Sequence, residues 1–543
     1  MKRLLFSCCL YAMMCNTAWA HTWYVLGGGN PAGNGSQSQP FNSLHQVENA
    51  SSPGDTIFVL PSQVALDGGI QLKDDQKLVG LGPEVTKAPS TTAHARATNS
   101  TGQRYNGDAI RLAHNTTVTN IHVAGAFRSG ILGINVTSPT IRDNLITENL
   151  IQNNDLHVIQ NNYVIFQPQR NHFGAITLFA CGAAPASLCL QQDPTTVGIA
   201  NTGEVIISGN EIRDSNVEGM IILNDTAVVA TYQVKDNSVH DISLTLPAPE
   251  SVGITEVVRS RGFTLIAGNG SLVTVNMDAM EASNMAPAGN FASDGVVFVT
   301  FGTNALITAD ISDLVISNPF LTGELINGDS LELTHFGSNS TFDVRVQRAQ
   351  LSDSVNTRVK LLEVGDTTQN SFYVEIADSQ LTNTNLRSAL PQARGAIGYA
   401  KLGNTQPVTL KALDLTVRRT TISGIGRGMH ILNTVPANTV NIFVEKSSLS
   451  DLTKEGFFFS NTSTINSANI DLGGGLLGSA GENSLTNNGS FDVSVTNTSA
   501  TPIDVFASKN FWGGAAPVIG ADVQLVGPVH FIAPTFLTSN PHP

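Results

Sequence analysis

The stretch TWYVLGGGNPAGNGSQSQPFNSLHQVENASSPGDTIFVLP, Thr22 to Pro61, decides how the rest of the chain is read. It opens with a short apolar strand, Trp23 to Leu26, and passes into a Gly/Asn/Pro-rich loop that cannot hold regular structure. A short amphipathic helix is expected next, over Phe41 to Ala50. Phe41, Leu44, Val47 and Ala50 recur every three residues, and Ser43 with Gln46 fits a capping box. Pro53-Gly54-Asp55 then turns the chain into a second apolar strand, Thr56 to Leu60.

Outward from this stretch, the chain repeats. In the first half the unit is apolar-x-x-Asn-x-apolar: Ile141 to Ile146 around Asn144, Ile207 to Ile212 around Asn210, and Val234 to Val239 around Asn237, with a blurred copy at Asn161 and Asn162. Asn tolerates the left-handed conformation of a sharp turn, and its amide can bond an identical neighbour one coil away, so each Asn reads as a stacked turn residue. Gly130-Ile-Leu, Gly174-Ala-Ile and Gly219-Met-Ile-Ile read as strand starts between these turns.

The second half carries two series spaced about 30–36 residues apart. One holds LITADISDLVISN from Leu306, FDVRVQRAQLSDS from Phe342, FYVEIADSQLTNT from Phe372 and VNIFVEKSSLSDL from Val440. The other holds DGVVFVTF from Asp294, DSLELTHF from Asp329, RVKLLEV from Arg358, GAIGYAKL from Gly395 and GMHILNT from Gly428. Alternating apolar and polar residues mark strands with one face inward. Repeated short strands with no helix between them exclude a βαβ solenoid, and the scarcity of tight hairpin turns disfavours a sandwich array. The expected fold is all-β: a single-stranded right-handed parallel β-helix with a short N-terminal cap helix. Roughly 14–18 rungs at about 4.8 Å give a rod on the order of 70–85 Å long, its interior filled by Val, Ile, Leu, Phe and Ala.

The order strand, loop, cap helix, Pro-Gly-Asp turn, strand resembles the opening segment of secreted right-handed parallel β-helix proteins, the pectin-lyase-like superfamily. LDGGIQLKDDQKLVGLGP, Leu66 to Pro83, is similar to that family's first coil. IDVFASKNFWGG, Ile503 to Gly514, resembles its last coils, with Phe511 and Trp512 placed to cover the lower end. On this reading 1–20 is a signal peptide, 21–92 the cap and first coils, 93–515 the β-helix and 516–543 a tail.

The signal reading rests on Lys2 and Arg3, an apolar run from Leu4 to Met14, and Ala18-Trp19-Ala20 as a cleavage site. That run is shorter than the ~20 residues a bilayer needs, and no later one reaches ~18, so no membrane span is expected. Export places the mature protein in the periplasm, at the cell surface or outside the cell. Cys8, Cys9 and Cys15 leave with the signal, so Cys181 and Cys189 remain, close enough in sequence to be expected to form a disulfide in an oxidising compartment. Removing residues 1–20 leaves 27 basic against 43 acidic side chains, a net charge of −16. With no basic cluster, nucleic acid is excluded as a partner, and a strongly anionic polymer would need a bridging cation. A monomer is expected.

Familiar catalytic motifs do not carry a function here. Gly473-Gly-Gly475-Leu-Leu-Gly478 satisfies GxGxxG without a strand-then-helix context, and GxSxG, HExxH and the P-loop pattern are absent. The resemblance makes a polysaccharide lyase or glycoside hydrolase the enzymatic alternative. The hydrolase pattern of Asn-Thr-Asp, Asp-Asp, Gly-His-Gly and Arg-Ile-Lys is not met: Asp74-Asp75 falls in the cap region and Gly428-Met-His430 departs from Gly-His-Gly. The lyases hold Ca²⁺ on acidic residues near a basic one, so Ca²⁺ enters only with a lyase, and no other cofactor or metal is expected. The candidate catalytic residues are Asp143, Glu148, Asp155, Arg170, Asp214 and Glu218. Asp236, Asp241, Arg142 and Arg213 lie near them in sequence, with Arg142-Asp143 and Arg213-Asp214 expected to be solvated pairs. His157, His172 and His240 are spread over different coils and read as surface histidines. The leading expectation is a non-catalytic face that binds polysaccharide or a cell-surface glycan. Low charge and abundant Asn and Thr also suit a structural surface component.

Overall fold

The structure is a computed structural model describing residues 20–87, 92–149, 159–160, 163–164, 173–182, 198–215, 218–225, 227–242, 259–285, 292–317, 328–354, 356–365, 367–384, 395–402, 409–424 and 426–542. Strands of two to nine residues succeed one another along these segments and stack into three parallel sheets of 16, 14 and 11 strands. Most coils contribute one strand to each sheet in turn. The two second-half series fall where alternation puts them. Leu306–Ser312, Thr341–Gln347 and Ser371–Ala377 pair side by side in the 16-stranded sheet, with Ala309, Val344 and Val374 in one row. Asp329–His335 and Thr357–Val364 pair in the 14-stranded sheet. Among the described strands only Ile159–Gln160 and Tyr163–Val164 pair antiparallel. The result is a parallel β-helix, with the right-handed sense that parallel crossovers take almost without exception.

One continuous apolar core fills the coil from Val25 to Val523. Alternation supplies it, as in Phe342, Val344 and Val346 on one strand, each at most 1% exposed. The interior is not wholly apolar. At the corner following the 14-stranded sheet, an inward row runs through Asn224, Thr300, His335, Glu363, Lys401, Asn433, Asn461 and Asn497, all buried. Lys401 Nζ lies 3.2 Å from Glu363 and donates to Thr367, while Asn433, Asn461 and Asn497 form a ladder at 2.8 and 2.9 Å.

The opposite corner, between the 16- and 11-stranded sheets, carries the expected asparagines. Asn144 Nδ2 donates to Asn210 at 3.0 Å, and Asn210 Nδ2 to Asn237 at 2.9 Å. These Asn residues are not the left-handed ones, however. The positive φ belongs to the residue before each: Asp143 at 56°, Gly209 at 63° and Asp236 at 53°. That conformation turns the chain, and the following Asn points inward so that its Oδ1 accepts the backbone N–H one coil back. Asn161 and Asn162 lie outside the described residues.

The cap helix runs from Leu44 to Ala50, begun by Ser43 Oγ, which accepts Gln46 N–H at 3.3 Å. Leu44 and Val47 are fully buried, but Ala50 is exposed. Phe41 is not part of the helix; it bridges Val25 and stacks on Trp23 at 5.6 Å. At the other end Trp512 is 6% exposed within the core, but it does not close it. Residues 516–543 are not a plain tail. Val523–Val526, Val529–Ile532 and Phe536–Leu537 extend the stack by one more coil, and Phe531 packs edge-on against Trp512. The Gly473–Ser479 loop owes its glycines to Asp471, whose carboxylate accepts the N–H groups of Gly473, Gly475, Leu477 and Ser479. It already holds a negative charge, so it offers no phosphate cradle. Among the described residues no helix is long and apolar enough to cross a membrane.

Candidate functional site

The outer face of the 14-stranded sheet is buried through its middle strands, from Ile176–Cys181 to Thr357–Val364. Leu132, Phe179, Ile221, Leu223, Ile266, Val297 and Val299 form a second apolar cluster there, separate from the core. In the middle coils it gives way to charge. Each strand enters the sheet with a charged residue followed by a small one: Glu218-Gly219, Arg261-Gly262, Asp294-Gly295, Asp329-Ser330. The small residue sits where a side chain would strike the neighbouring sheet; a Cβ on Gly295 would meet Ile316 at 2.7 Å. The charged residues stack, with Glu218 beside Arg261 and Arg261 beside Asp294.

Arg261 lies 3.3 Å from Glu218 and 3.5 Å from Asp294. Asp294 accepts the Asp329 backbone N–H at 3.2 Å. Lys360 falls between the core residues Val359 and Leu361 and so faces outward, where its Nζ lies 2.8 Å from Asp329 and 3.1 Å from Glu332. Thr334 donates to Glu332. Oxygens of Asp294, Asp329 and Glu332 converge to within 4.8 Å of one another. Burial pushes the Asp329 carboxyl up to about 6, with the charges of Glu332 and Asp294 adding to the shift and Lys360 opposing it. Burial also raises Glu218, against the pull of Arg261.

Three converging carboxylates are a donor set a divalent cation would accept. Lys360 already places an ammonium among those oxygens, so the cluster carries its own positive charge, and the Ca²⁺ a lyase would use does not fit it as arranged. No step below uses a metal.

Of the residues singled out from sequence, those that the structure describes are not gathered into one groove. Asp143 occupies a left-handed turn position ahead of strand Leu145–Thr147. Glu148 follows that strand and stacks on Asp214, which follows the paired strand Glu211–Arg213; both are exposed, and Arg213 holds Asp214 at 2.6 Å. Glu218 alone belongs to the buried network. Asp155 and Arg170 lie outside the described residues, as do His157 and His172. His240 is bound to Asp241 at 2.7 Å, near Glu211. Cys181 ends its strand, buried, while Cys189 lies outside the described residues. Sequence reasoning missed Arg261, Asp294, Asp329, Glu332 and Lys360. The signal for them was the charged-then-small pair recurring ahead of each apolar run, and a charge set between two leucines in Leu331-Glu332-Leu333.

Comparison with known protein families and with curated proteins finds no match. Among solved structures the chain is similar to a GH136 lacto-N-biosidase from Eubacterium ramulus, at 12% identity over 73% of this chain and 68% of that one, with a TM-score of 0.35. It is also similar to a structure described as XylC in complex with xylose, at 9% identity over 78% of this chain and 86% of that one, with a TM-score of 0.32.

Proposed function

We propose that this protein is an exported glycoside hydrolase of the pectin-lyase-like architecture, with its acid and nucleophile in the Asp294–Asp329–Glu332 cluster. The observation that carries the proposal is the convergence of three carboxylates within 4.8 Å, one of them held up to about 6. Pairs of carboxyl groups whose surroundings drive their protonation apart are what glycosidic cleavage needs. Oxygens this close favour the retaining geometry, about 5–5.5 Å, over the roughly 6.5–9.5 Å of inverting enzymes. Asp329, whose Oδ1 has no hydrogen-bond partner, is the acid. Glu332, steadied by Lys360 and Thr334, is the nucleophile. The glycosidic C–O bond breaks as the Glu332–glycosyl ester forms, and the Asp329 proton goes to the leaving oxygen. Water then cleaves the ester and returns a proton to Asp329.

The test is a reducing-end assay of residues 21–543 on neutral and acidic glycans. Expected is product formation that declines above pH about 6, and a ~10²–10⁴-fold loss of kcat in Asp329→Asn. No product on any glycan, or an undiminished variant, sinks the reading. The same material tests export and the disulfide: the secreted chain should begin at His21 and titrate no thiol.

The burial of the cluster favours a second reading, in which it is a strut and the protein binds glycan elsewhere. The outer face of the 16-stranded sheet carries an in-register row of Tyr373, Asp414, Asn441, Asn469, Asp504 and His530. Tyr373 is 37% exposed, and Asn441 bonds Asp414 at 2.7 Å and is bonded by Asn469 at 2.8 Å. Glycan-array retention abolished by Tyr373→Ala, without turnover, would select this reading.

A further inference from the structure

Equivalent positions at the start of the strands of the 14-stranded sheet hold Gly219, Gly262, Gly295, Ser330, Ala396, Gly428 and Gly456 on successive coils, interrupted by Arg358. Pairing skips that position: Asp329 opposes Thr357 and Leu331 opposes Val359, while Arg358 N and Val359 N both donate to Ala396 O. An arginine therefore occupies a place that its neighbours keep for small residues, and it is 1% exposed.

Among the described residues its guanidinium has no hydrogen-bond partner. Nε and Nη2 are buried without one, and so are Asn356 Nδ2 and Thr357 Oγ1 of the two preceding residues. Asp353 and Asp329 attract Arg358 through space, but neither is within ion-pair distance. Burial lowers Arg358 to about 10, the response of a cation stripped of water and not compensated. Lys360 is held by Asp329 and Glu332 and Arg261 by Glu218 and Asp294, and none of these acids bonds Arg358. Among the described residues Arg358 is left without a hydrogen-bonded counter-ion, with neutral donors on the two preceding residues. Buried polar groups in native proteins are paired, and charges most strictly of all.

We propose that Arg358, with Asn356 and Thr357, binds one monovalent anion of halide or carboxylate size. The valence follows from there being a single guanidinium without a hydrogen-bond partner. Full burial sets the size. The guanidinium fork suits either a spherical halide or one edge of a carboxylate, the latter supplied by a small free acid such as formate. This inference stands apart from the proposed hydrolysis and uses none of its residues as catalysts.

The experiment uses the mature protein in sodium bromide against the same ionic strength of a bulky sulfonate. Hydrogen exchange across 350–364 should slow at least 10-fold in bromide, and bromide-soaked crystals should give an anomalous peak within hydrogen-bond distance of the Arg358 guanidinium. Arg358→Met should lose both effects while remaining at least as resistant to unfolding in sulfonate as the natural protein, because it removes an uncompensated buried charge. Formate that displaces bromide supports the site and assigns the anion to a carboxylate. Bromide protection that formate leaves untouched supports the site and assigns it to a halide. No peak, protection that persists in Arg358→Met, or a peak without protection (an adventitious ion only) overturns the proposal.

Discussion

The two interior corners of the coil solve one problem in different ways. At the corner between the 16- and 11-stranded sheets the backbone is constant and the filling varies. A left-handed residue comes first in coil after coil, through Asp143, Ala279, Asp313, Arg348, Lys446 and Lys509. The inward residue behind it changes from Asn144, Asn210 and Asn237 to Met280, Leu314 and Ala349, then to Ser379, Thr420 and Ser447, and back to Asn483 and Asn510. At the corner after the 14-stranded sheet the filling is polar throughout the later coils, and it includes the Glu363–Lys401 pair. The contrast teaches that the first corner is held by its turn, so that hydrogen-bonded and apolar fillings are interchangeable as long as neighbours agree. The second is held by its side-chain partners.

That comparison is most easily broken at the second corner. Lys401→Met should leave Glu363 buried without its cation and cost about 3–5 kcal/mol, read as protease sensitivity of the coils around 357–445 while the first coils persist. A loss below about 1 kcal/mol would show that this corner, too, is held by its backbone.

A smaller effect is expected where two fillings are mixed. Asn210→Leu strands the Asn144 N–H and amide, which now donate to Asn210 at 3.1 and 3.0 Å, and should cost about 2–3 kcal/mol. Leu314→Asn makes the converse mismatch between Met280 and Ala349, which have no polar side-chain groups, and should cost a similar amount. Urea unfolding of the two variants measures both; unchanged midpoints would mean that neighbours need not agree.

The response to pH separates the corner from the candidate site. His335 donates from Nε2 to Ser371 O, accepts from Thr300, and is lowered by burial to about 3. The unfolded chain takes up its proton near 6.5, so this group's contribution is present above that value and is lost as pH falls toward 3. Asp329, raised from 3.8 to about 6, acts in the opposite sense: the folded state binds more protons over that interval, and stability falls as pH rises through it. Between pH 4 and 6, His335→Gln should therefore flatten the rise of stability with pH and Asp329→Asn should steepen it. Slopes that move together would contradict the two environments assigned.

The smallest expected effect tests the turn itself. Ala279 holds φ at 50°, a conformation that strains any Cβ, and Ala279→Gly should stabilise by up to about 1 kcal/mol despite the added freedom of the unfolded chain. A loss greater than 1 kcal/mol would mean that the Ala279 methyl group, not the backbone, secures that coil.

Much of the fold could be read from the chain because alternation is local. Phe342, Val344 and Val346 announce an inward face without knowledge of any other strand. The asparagine columns were legible for the same reason, although the left-handed residue was misplaced by one, since Asp and Asn share the same tolerance and only the backbone separates Asp143 from Asn144. The end of the stack was misjudged because the last coil is weakly apolar: Val526, Ile532 and Phe536 are 48%, 36% and 39% exposed. The candidate site was hidden for a different reason. Asp294, Asp329, Glu332 and Lys360 come from three successive coils, and their meeting depends on register between residues 28 to 35 positions apart in sequence. Glu148 and Asp214 looked equally suitable until their turns placed them in solvent.

The strand stack has a mechanical consequence. The ladder bonds run along the rod while the strands lie across it, and Thr22 and Phe536 belong to opposite ends. Tension applied between those ends would load the coils in series, and each ladder would open like a zipper and not shear as one block. The cap helix braces the first coil, whereas the final one has no helix over it and adds to its ladder only contacts such as Phe531 on Trp512, so peeling should begin at Val529–Ile532 and advance inward. Force on such a molecule would be recorded as a succession of small steps, each the length of one coil.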